Sequence, residues 1–236
     1  ILGVWKIGAV FVPLDPEESK EKNAFIISNS SCKFVLTDLN EKNDFDVQSL
    51  NICNLKEEHN TSNNIEYSCT DIAYIIYTSG STGNPKGVEV GFSALTNYIE
   101  GMLEKSNPSE MKSSLVMSKV NYDLSYTALF IPLYIGGNIT FIEKEDYGNS
   151  YKISRLIEKN KVTYIKTTPS IFSCLEYKAF SNCETLKLII LGGETPNSKS
   201  ILEFLDFNPN VKFLNHYGPT EATIGCISGY INPDFL

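Results

Sequence analysis

No two of the six cysteines in this 236-residue chain form a Cys-x-x-Cys pair. Cys32, Cys53, Cys69, Cys174, Cys183 and Cys226 are scattered without zinc-ligand spacing. This excludes a metal-ribbon framework and points to free thiols in a reducing, cytoplasmic setting. Clustered positive charge is also missing. Twenty Lys and Arg against 28 Asp and Glu give a formal net charge of −8 and a pI near 4.9. A nucleic-acid surface needs concentrated Lys and Arg, so nucleic acid is excluded as a partner. A small phosphate-bearing ligand needs only a local positive site and stays open. The opening "ILGVWKIGAVFVPLDP" is a short apolar run broken by Lys6. It has neither signal-peptide layout nor membrane-spanning length, so no membrane partner is expected. Internal repeats and low-complexity tracts are absent. Met and a helix-capping residue are both missing at the start, so the chain is expected to begin inside an element of a longer protein.

What is present is an ordinary globular composition, 42% hydrophobic and 20% charged. Its length suits one large domain or two small ones. Short β-branched apolar runs fall at 9–13, 33–37, 72–77, 114–118, 138–142, 162–166, 186–191 and 211–215. Helix-like stretches fall at 17–29, 92–105, 124–134, 150–160, 169–176 and 198–206. The alternation predicts a layered αβα body with largely parallel sheets. Residues 40–69 are polar and read as a surface excursion of low order.

"YTSGSTGNPKG" at 77–87 follows a buried strand directly. Glycines let backbone N–H groups turn toward an anion. Thr78, Ser79, Ser81 and Thr82 add hydroxyl donors, and Lys86 adds charge. The stretch is not a Walker A loop, because Gly83 is followed four residues later by Gly87 and then Val88. It resembles the phosphate-binding signature of the adenylate-forming enzymes: acyl-CoA synthetases, luciferases and the adenylation domains of nonribosomal peptide synthetases. "WKIGAVFVPLDP" at 5–16, "LGGET" at 191–195 and "NHYGPTEATI" at 215–224 resemble further motifs of that family, in order.

The resemblance implies roles. Residues Thr78, Ser79, Gly80, Ser81, Thr82, Gly83 and Lys86 would hold the β- and γ-phosphates of ATP. Tyr217 would stack on adenine, and Gly193, Glu194 and Asn215 would frame its edge. Thr220 would reach the α-phosphate, and Glu221 would bind Mg²⁺ as a hard oxygen ligand. The expected catalytic set is Lys86, Thr220 and Glu221. A carboxylate would attack the α-phosphorus, so catalysis would rest on positioning and charge neutralisation.

Peptide-synthetase members carry an aspartate that anchors the α-amino group of their substrate. Asp123 in "NYDLSYTALF" stands in that place, with Tyr122 for the usual Phe. An Asp opening an apolar helix also reads as a plain N-cap. The other pocket positions align with Leu124, Thr127, Lys166, Ile190, Gly192, His216, Ile224 and Gly225. With Asp123 they spell D-L-T-K-I-G-H-I-G, which resembles the family pattern for aspartate. Lys166 and His216 are then expected as cations facing a second carboxylate. Each also has a plainer reading, Lys166 as a strand-end lysine in solvent and His216 as a packing histidine. A one-residue slip in "KTTPS" would exchange Lys166 for Thr167.

Departures from the family pattern remain. Phe92 stands where many relatives have His, and "TTPS" replaces "PPT". The later ribose-binding aspartate, the hinge and the C-terminal subdomain with its lysine are not found. Residues 1–236 are therefore expected to be a partial large subdomain. Its partners in the parent enzyme would be an amino acid, a phosphopantetheinyl carrier protein and a condensation domain. An acyl- or aryl-CoA ligase and a non-catalytic ligand-binding fragment are the alternatives.

Overall fold

The structure, a computed structural model, describes residues 1–38, 45–55, 68, 71–79 and 84–235. The chain divides into two compact units, Ile1–Ser93 and Ala94–Leu236.

The first unit contains helices α1 (Leu2–Lys6) and α2 (Lys20–Asn29) and strands β1 (Phe34–Thr37), β2 (Gln48–Asn51), β3 (Ile72–Thr78) and β4 (Lys86–Gly91). Ser19 caps α2 by accepting from the Lys22 amide, which starts that helix three residues later than expected. Strands β1 and β2 pair in parallel, and β3 and β4 form an antiparallel hairpin. Two expectations are corrected. Residues 9–13 are not a strand. They make a single parallel bridge, Phe11 to Tyr74, because Pro13 has no N–H to extend a ladder. The 40–69 excursion holds strand β2, although residues 40–44, 56–67 and 69 lie outside the described residues. Trp5 locks the unit. Its indole donates to the Ala73 carbonyl at 2.7 Å, and its ring packs at 5.7 Å from Phe11 and 5.2 Å from Phe92.

Helix α3 (Phe92–Lys105) leads into the second unit. There follow β5 (Ser113–Val116), α4 (Tyr126–Tyr134), β6 (Asn138–Phe141), α5 (Ser150–Asn160), β7 (Tyr164–Thr167), α6 (Pro169–Ser173), β8 (Leu188–Gly192), α7 (Ser198–Leu205), β9 (Lys212–Tyr217) and β10 (Ile227–Tyr230). The strands form one sheet in the order β10-β9-β8-β7-β5-β6, parallel except for β10. The layered, largely parallel α/β expectation holds here. Helix α6 stops short of the expected 176, with Thr168 as its cap and Pro169 at its first position.

The register decides which side chains meet, because paired residues in a sheet share a face and the face alternates along each strand. Leu115, Ile165, Ile189, Leu191 and Phe213 build the main core with Ile153 and Ile157 of α5 and Ile201 and Phe204 of α7. Phe172, Tyr177, Phe204 and Phe213 pack there with ring centroids at 5.2–5.7 Å, Phe172 and Tyr177 stacked and the other pairs tilted or edge-on. The opposite face is set by the pairs Val116–Lys166, Lys166–Ile190 and Gly192–His216, and it is covered by α4. No helix among the described residues is long and apolar enough to cross a membrane. The five described cysteines are free.

Candidate amino-acid and nucleotide sites

In the first unit, Thr78 and Lys86 are the last pair of the β3–β4 hairpin. They stand opposite each other at the base of the 79–85 loop. Thr78 is half-buried, and Ser79 and Lys86 are exposed. Gly80, Ser81, Thr82 and Gly83 lie outside the described residues. Gly87 faces Tyr77 in register, and a Cβ at 87 would sit 3.0 Å from the Tyr77 ring. The close pairing of ring and backbone explains a glycine at that exit. Tyr77 itself is held by Asn29, whose side-chain oxygen accepts from the phenol at 2.6 Å.

In the second unit, the residues expected around an amino acid collect at the carboxyl ends of β7, β8 and β9. Ligands of open α/β sheets bind at such ends, beside the point where strand order reverses. Here the order reverses between β5 and β7, because the chain runs from β5 outward to β6 and then back to β7.

Lys166 is buried, with 2% of its surface exposed, and so is His216, at 3%. Lys166 is therefore not the solvent lysine of the alternative reading, and His216 is a packed interior histidine. Lys166 Nζ lies 2.6 Å from Thr127 Oγ1 and 3.3 Å from His216 Nδ1. Thr167 falls on the opposite face of β7 by alternation, so it is Lys166 that meets Thr127 and His216. Ile190 and Ile224 are buried. Leu124 packs near Gly193, where a Cβ would lie 3.6 Å from its Cδ1.

Two glycines make room for His216, one beside its ring and one beside its backbone. A Cβ at Gly225 would lie 2.0 Å from His216 Cε1, and one at Gly192 would lie 3.0 Å from the His216 carbonyl oxygen. The turn before Gly225 is strained. Thr223 and Ile224 both have positive φ, 58° and 67°, which is unusual for branched side chains. A cavity of about 320 Å³ opens beside Tyr98, His216, Thr223, Gly225 and Cys226.

The N-cap alternative for Asp123 is not what is observed. Tyr122 occupies the cap of the short 3-10 turn at Asp123–Ser125, and α4 begins without a side-chain cap. Asp123 Oδ2 is instead buried without a hydrogen-bond partner. Burial raises the Asp123 pKa, opposed by the Thr220 hydroxyl, the Lys166 charge and the Leu124 amide. Burial lowers Lys166 to about 7, with Asp123 pulling the other way. His216 is lowered to about 3, by burial first and then by the Lys166 charge. The expectation of two cations is thus corrected. At neutral pH His216 is uncharged, because an imidazolium would be buried beside a lysine.

On the other face of β9, Asn215 and Tyr217 are exposed, Tyr217 at 62%. Alternation along one strand therefore turns His216 inward and its two neighbours outward. Glu194 accepts from the Ser170 amide at 3.0 Å and from the Ser170 hydroxyl. Thr220 and Glu221 lie in the Thr220–Ala222 turn, with Glu221 exposed. Among the described residues no three of His, Cys, Asp or Glu come together as a metal cage. A lone exposed carboxylate suits Mg²⁺, which takes one or two carboxylates and completes its shell with phosphates and water.

Sequence reading missed two residues of this cluster. Tyr98 places its hydroxyl 2.6 Å from Thr127 Oγ1 and 3.0 Å from His216 Nε2. Tyr164 donates to the Thr127 carbonyl at 2.9 Å. The signal for Tyr98 was there, since Leu95, Tyr98, Ile99 and Met102 form the buried face of α3. A phenol on such a face needs a partner.

The family model described as AMP-binding enzyme matches residues 1–235. The chain belongs to that family. This AMP-binding chain is 35% identical to surfactin synthase subunit 2 of Bacillus subtilis over 98% of its length. It is 34% identical to bacitracin synthase 3 of Bacillus licheniformis over 100% of its length. It spans 7% and 4% of those two relatives. A four-domain nonribosomal peptide synthetase solved with AMP and glycine superposes with a TM-score of 0.80 at 25% identity. That match covers 98% of this chain and 17% of the other. A protein with adenylation and carrier domains, solved with a vinylsulfonamide inhibitor, superposes at 0.84 with 18% identity, over 99% and 40% of the two chains. The α/β fold is the one these structures share.

Proposed function

We propose that this AMP-binding chain is the amino-acid-selecting part of an AMP-forming ligase, and that its amino acid is aspartate. Such a ligase joins an amino-acid carboxylate to the AMP of ATP, releases pyrophosphate and passes the aminoacyl group to a carrier-protein thiol in nonribosomal peptide synthesis. Residues 1–236 are read as part of its large subdomain, working in a cytoplasmic enzyme with carrier-protein and condensation-domain partners. Family membership supports the reaction class. The observation that carries aspartate is the meeting of Lys166, Thr127 and His216 in one buried pocket, next to a carboxylate whose Oδ2 has no partner.

Asp123 binds the substrate α-ammonium, which supplies the missing partner and draws the Asp123 pKa back down. Lys166 and the Thr127 hydroxyl donate to the side-chain carboxylate. Unit charges about 4 Å apart attract by about 4 kcal/mol at an effective dielectric near 20, before desolvation is subtracted. An arriving carboxylate raises the Lys166 pKa and holds it as an ammonium. Neutral His216 supports Lys166 from Nδ1 without adding charge. Leu124, Ile190 and Ile224 bound the pocket, and Gly192 and Gly225 give it depth around the imidazole.

For the nucleotide, Thr78, Ser79, Gly80, Ser81, Thr82, Gly83 and Lys86 hold the β- and γ-phosphates, and Tyr217 stacks on adenine. Gly193, Glu194 and Asn215 border the base, and Thr220 reaches the α-phosphate. Glu221 would hold Mg²⁺, which supplies neutralisation of the charge that leaves with pyrophosphate. An acyl- or aryl-CoA ligase is disfavoured, because its substrates bring no ammonium to Asp123.

Pyrophosphate exchange with a panel of amino acids, run on the intact protein, tests this. Aspartate is expected first. Glutamate follows, since one extra methylene costs only about 1–3 kcal/mol. Asparagine comes last, because it leaves buried Lys166 uncompensated. Turnover of a large apolar amino acid, or of asparagine as readily as aspartate, overturns the aspartate reading.

A further inference from the structure

Lys166, Thr127, Tyr98 and His216 form a closed ring of four buried contacts, at 2.6 Å, 2.6 Å, 3.0 Å and 3.3 Å. With a substrate carboxylate holding Lys166 charged, the ring's donor directions follow from one fact: a lysine ammonium has hydrogens to give and no lone pair to accept with. Lys166 therefore donates both to Thr127 Oγ1 and to His216 Nδ1. With Nδ1 accepting, the neutral imidazole carries its hydrogen on Nε2 and donates it to the Tyr98 oxygen. The Tyr98 hydroxyl hydrogen then has one acceptor left in the ring, Thr127 Oγ1. Thr127 receives two donors, so its own hydrogen points out of the ring, as does the third hydrogen of Lys166. The edge-on packing of the Tyr98 and His216 rings, with centroids at 5.7 Å and planes at 84°, holds this arrangement.

We infer that Tyr98 is a specificity-determining residue of this pocket, positioning Thr127 and His216 so that the ring offers hydrogen-bond donors and no acceptor to the substrate side chain. The inference rests on the aspartate reading above and deepens it. A carboxylate accepts at both oxygens. A carboxamide brings an NH₂ group for which the ring has no acceptor. Tyr98 thus acts on acid-versus-amide choice through its neighbours, without touching the substrate.

The test compares kcat/KM for aspartate and for asparagine in pyrophosphate exchange on the intact protein. Wild type, Tyr98→Phe, Thr127→Val and the double variant are measured, with melting curves to certify folding. Tyr98→Phe should lower the aspartate-to-asparagine ratio about tenfold, the scale of one buried hydrogen bond. The loss should appear mainly as a higher KM for aspartate. Thr127→Val should lower the ratio by a similar factor, and the double variant should lose no more than either, because both act through one ring. A folded Tyr98→Phe enzyme that keeps the wild-type ratio overturns the inference, as do losses that multiply in the double variant. If Tyr98→Phe does not fold, Thr127→Ser and Thr127→Val carry the test. Serine keeps the hydroxyl and should keep the ratio, and equal losses in both overturn the inference. A wild type without aspartate preference overturns the aspartate reading itself, which separates that failure from failure of Tyr98 alone.

Discussion

The β3–β4 hairpin and the pocket at the ends of β7, β8 and β9 solve different problems. The hairpin places its chemistry in one contiguous stretch. Thr78 and Lys86 stand opposite each other because the strands pair there. The pocket draws Tyr98, Asp123, Thr127, Lys166 and His216 from separate elements and buries them together. Phosphates held at such a hairpin, as proposed, would draw on the exposed Lys86 charge and would ask little of fold stability. A site of the second kind desolvates a lysine, a carboxylate and an imidazole, so its specificity works against stability. The two regions should therefore respond differently to substitution.

The largest expected effect lies in the hairpin. Lys86→Ala and Thr82→Ala in the intact protein should each reduce pyrophosphate exchange by about 10²–10³, the cost of a positioned electrostatic contact. The Lys86→Ala melting temperature should stay within about 2 °C of wild type, because Lys86 is exposed and exposed substitutions fall within about 0.5 kcal/mol. Exchange that survives in both variants would remove the hairpin from the chemistry.

The same contrast explains what was legible in the sequence. The hairpin loop was readable because its glycines, hydroxyls and lysine lie side by side and because a strand precedes them. The sheet was readable because each parallel strand is a short apolar run. Residues 9–13 misled, because an apolar run ending in Pro13 has the composition of a strand without the donors for one. The pocket was readable only through a family pattern, since nothing local in "VTYIK" says that Lys166 turns inward. Strand register says so, by pairing Lys166 with Ile190 and Gly192 with His216. The charge state of His216 was out of reach, because it depends on burial and on a lysine fifty residues away in sequence. Tyr98 was missed because its partners are side chains from α4 and β9.

A smaller effect, of opposite character, is expected at Lys166. Lys166→Met should cut aspartate activation about 10–100-fold, the scale of a hydrogen bond to a charged group. The same change removes a cation whose burial already lowers its pKa to about 7. The ligand-free protein should therefore melt no lower than wild type, and higher near neutral pH. Loss of activity together with a gain in stability would set the pocket apart from the hairpin. A melting temperature several degrees below wild type would mean that Lys166 stabilises the fold, and the contrast between the regions would fail.

The smallest effect is a dependence of stability on pH that the pocket should impose on the ligand-free protein. His216 has a pKa near 6.5 when unfolded and about 3 when folded. Between these values the unfolded chain holds a proton that the folded one does not, so stability rises as pH goes from about 3 to 6.5. Lys166 repeats the pattern higher up. Its folded value of about 7 lies below the ordinary lysine value of 10.5, so stability rises again from about pH 7 toward 10.5. Asp123 works against His216, because its raised pKa lets the folded carboxyl keep a proton the unfolded one has lost. Tyr98 and Tyr164 work against Lys166 above about pH 10, because burial raises both phenols. Denaturation midpoints measured from pH 4 to 9.5 separate these contributions. His216→Asn should flatten the acid-side rise, whereas Lys166→Met should remove the alkaline-side rise and also weaken the acid-side one, because the Lys166 charge helps to lower His216. Each difference is read as a shift of the midpoint, at about 2–4 °C per kcal/mol for a domain this size. The reason is electrostatic: Lys166 and His216 sit 3.3 Å apart, close enough that the fold admits one positive charge there and resists a second. If both variants keep the wild-type slope throughout, His216 and Lys166 titrate as solvent-exposed groups do, and the closed ring they share with Thr127 and Tyr98 does not persist in solution.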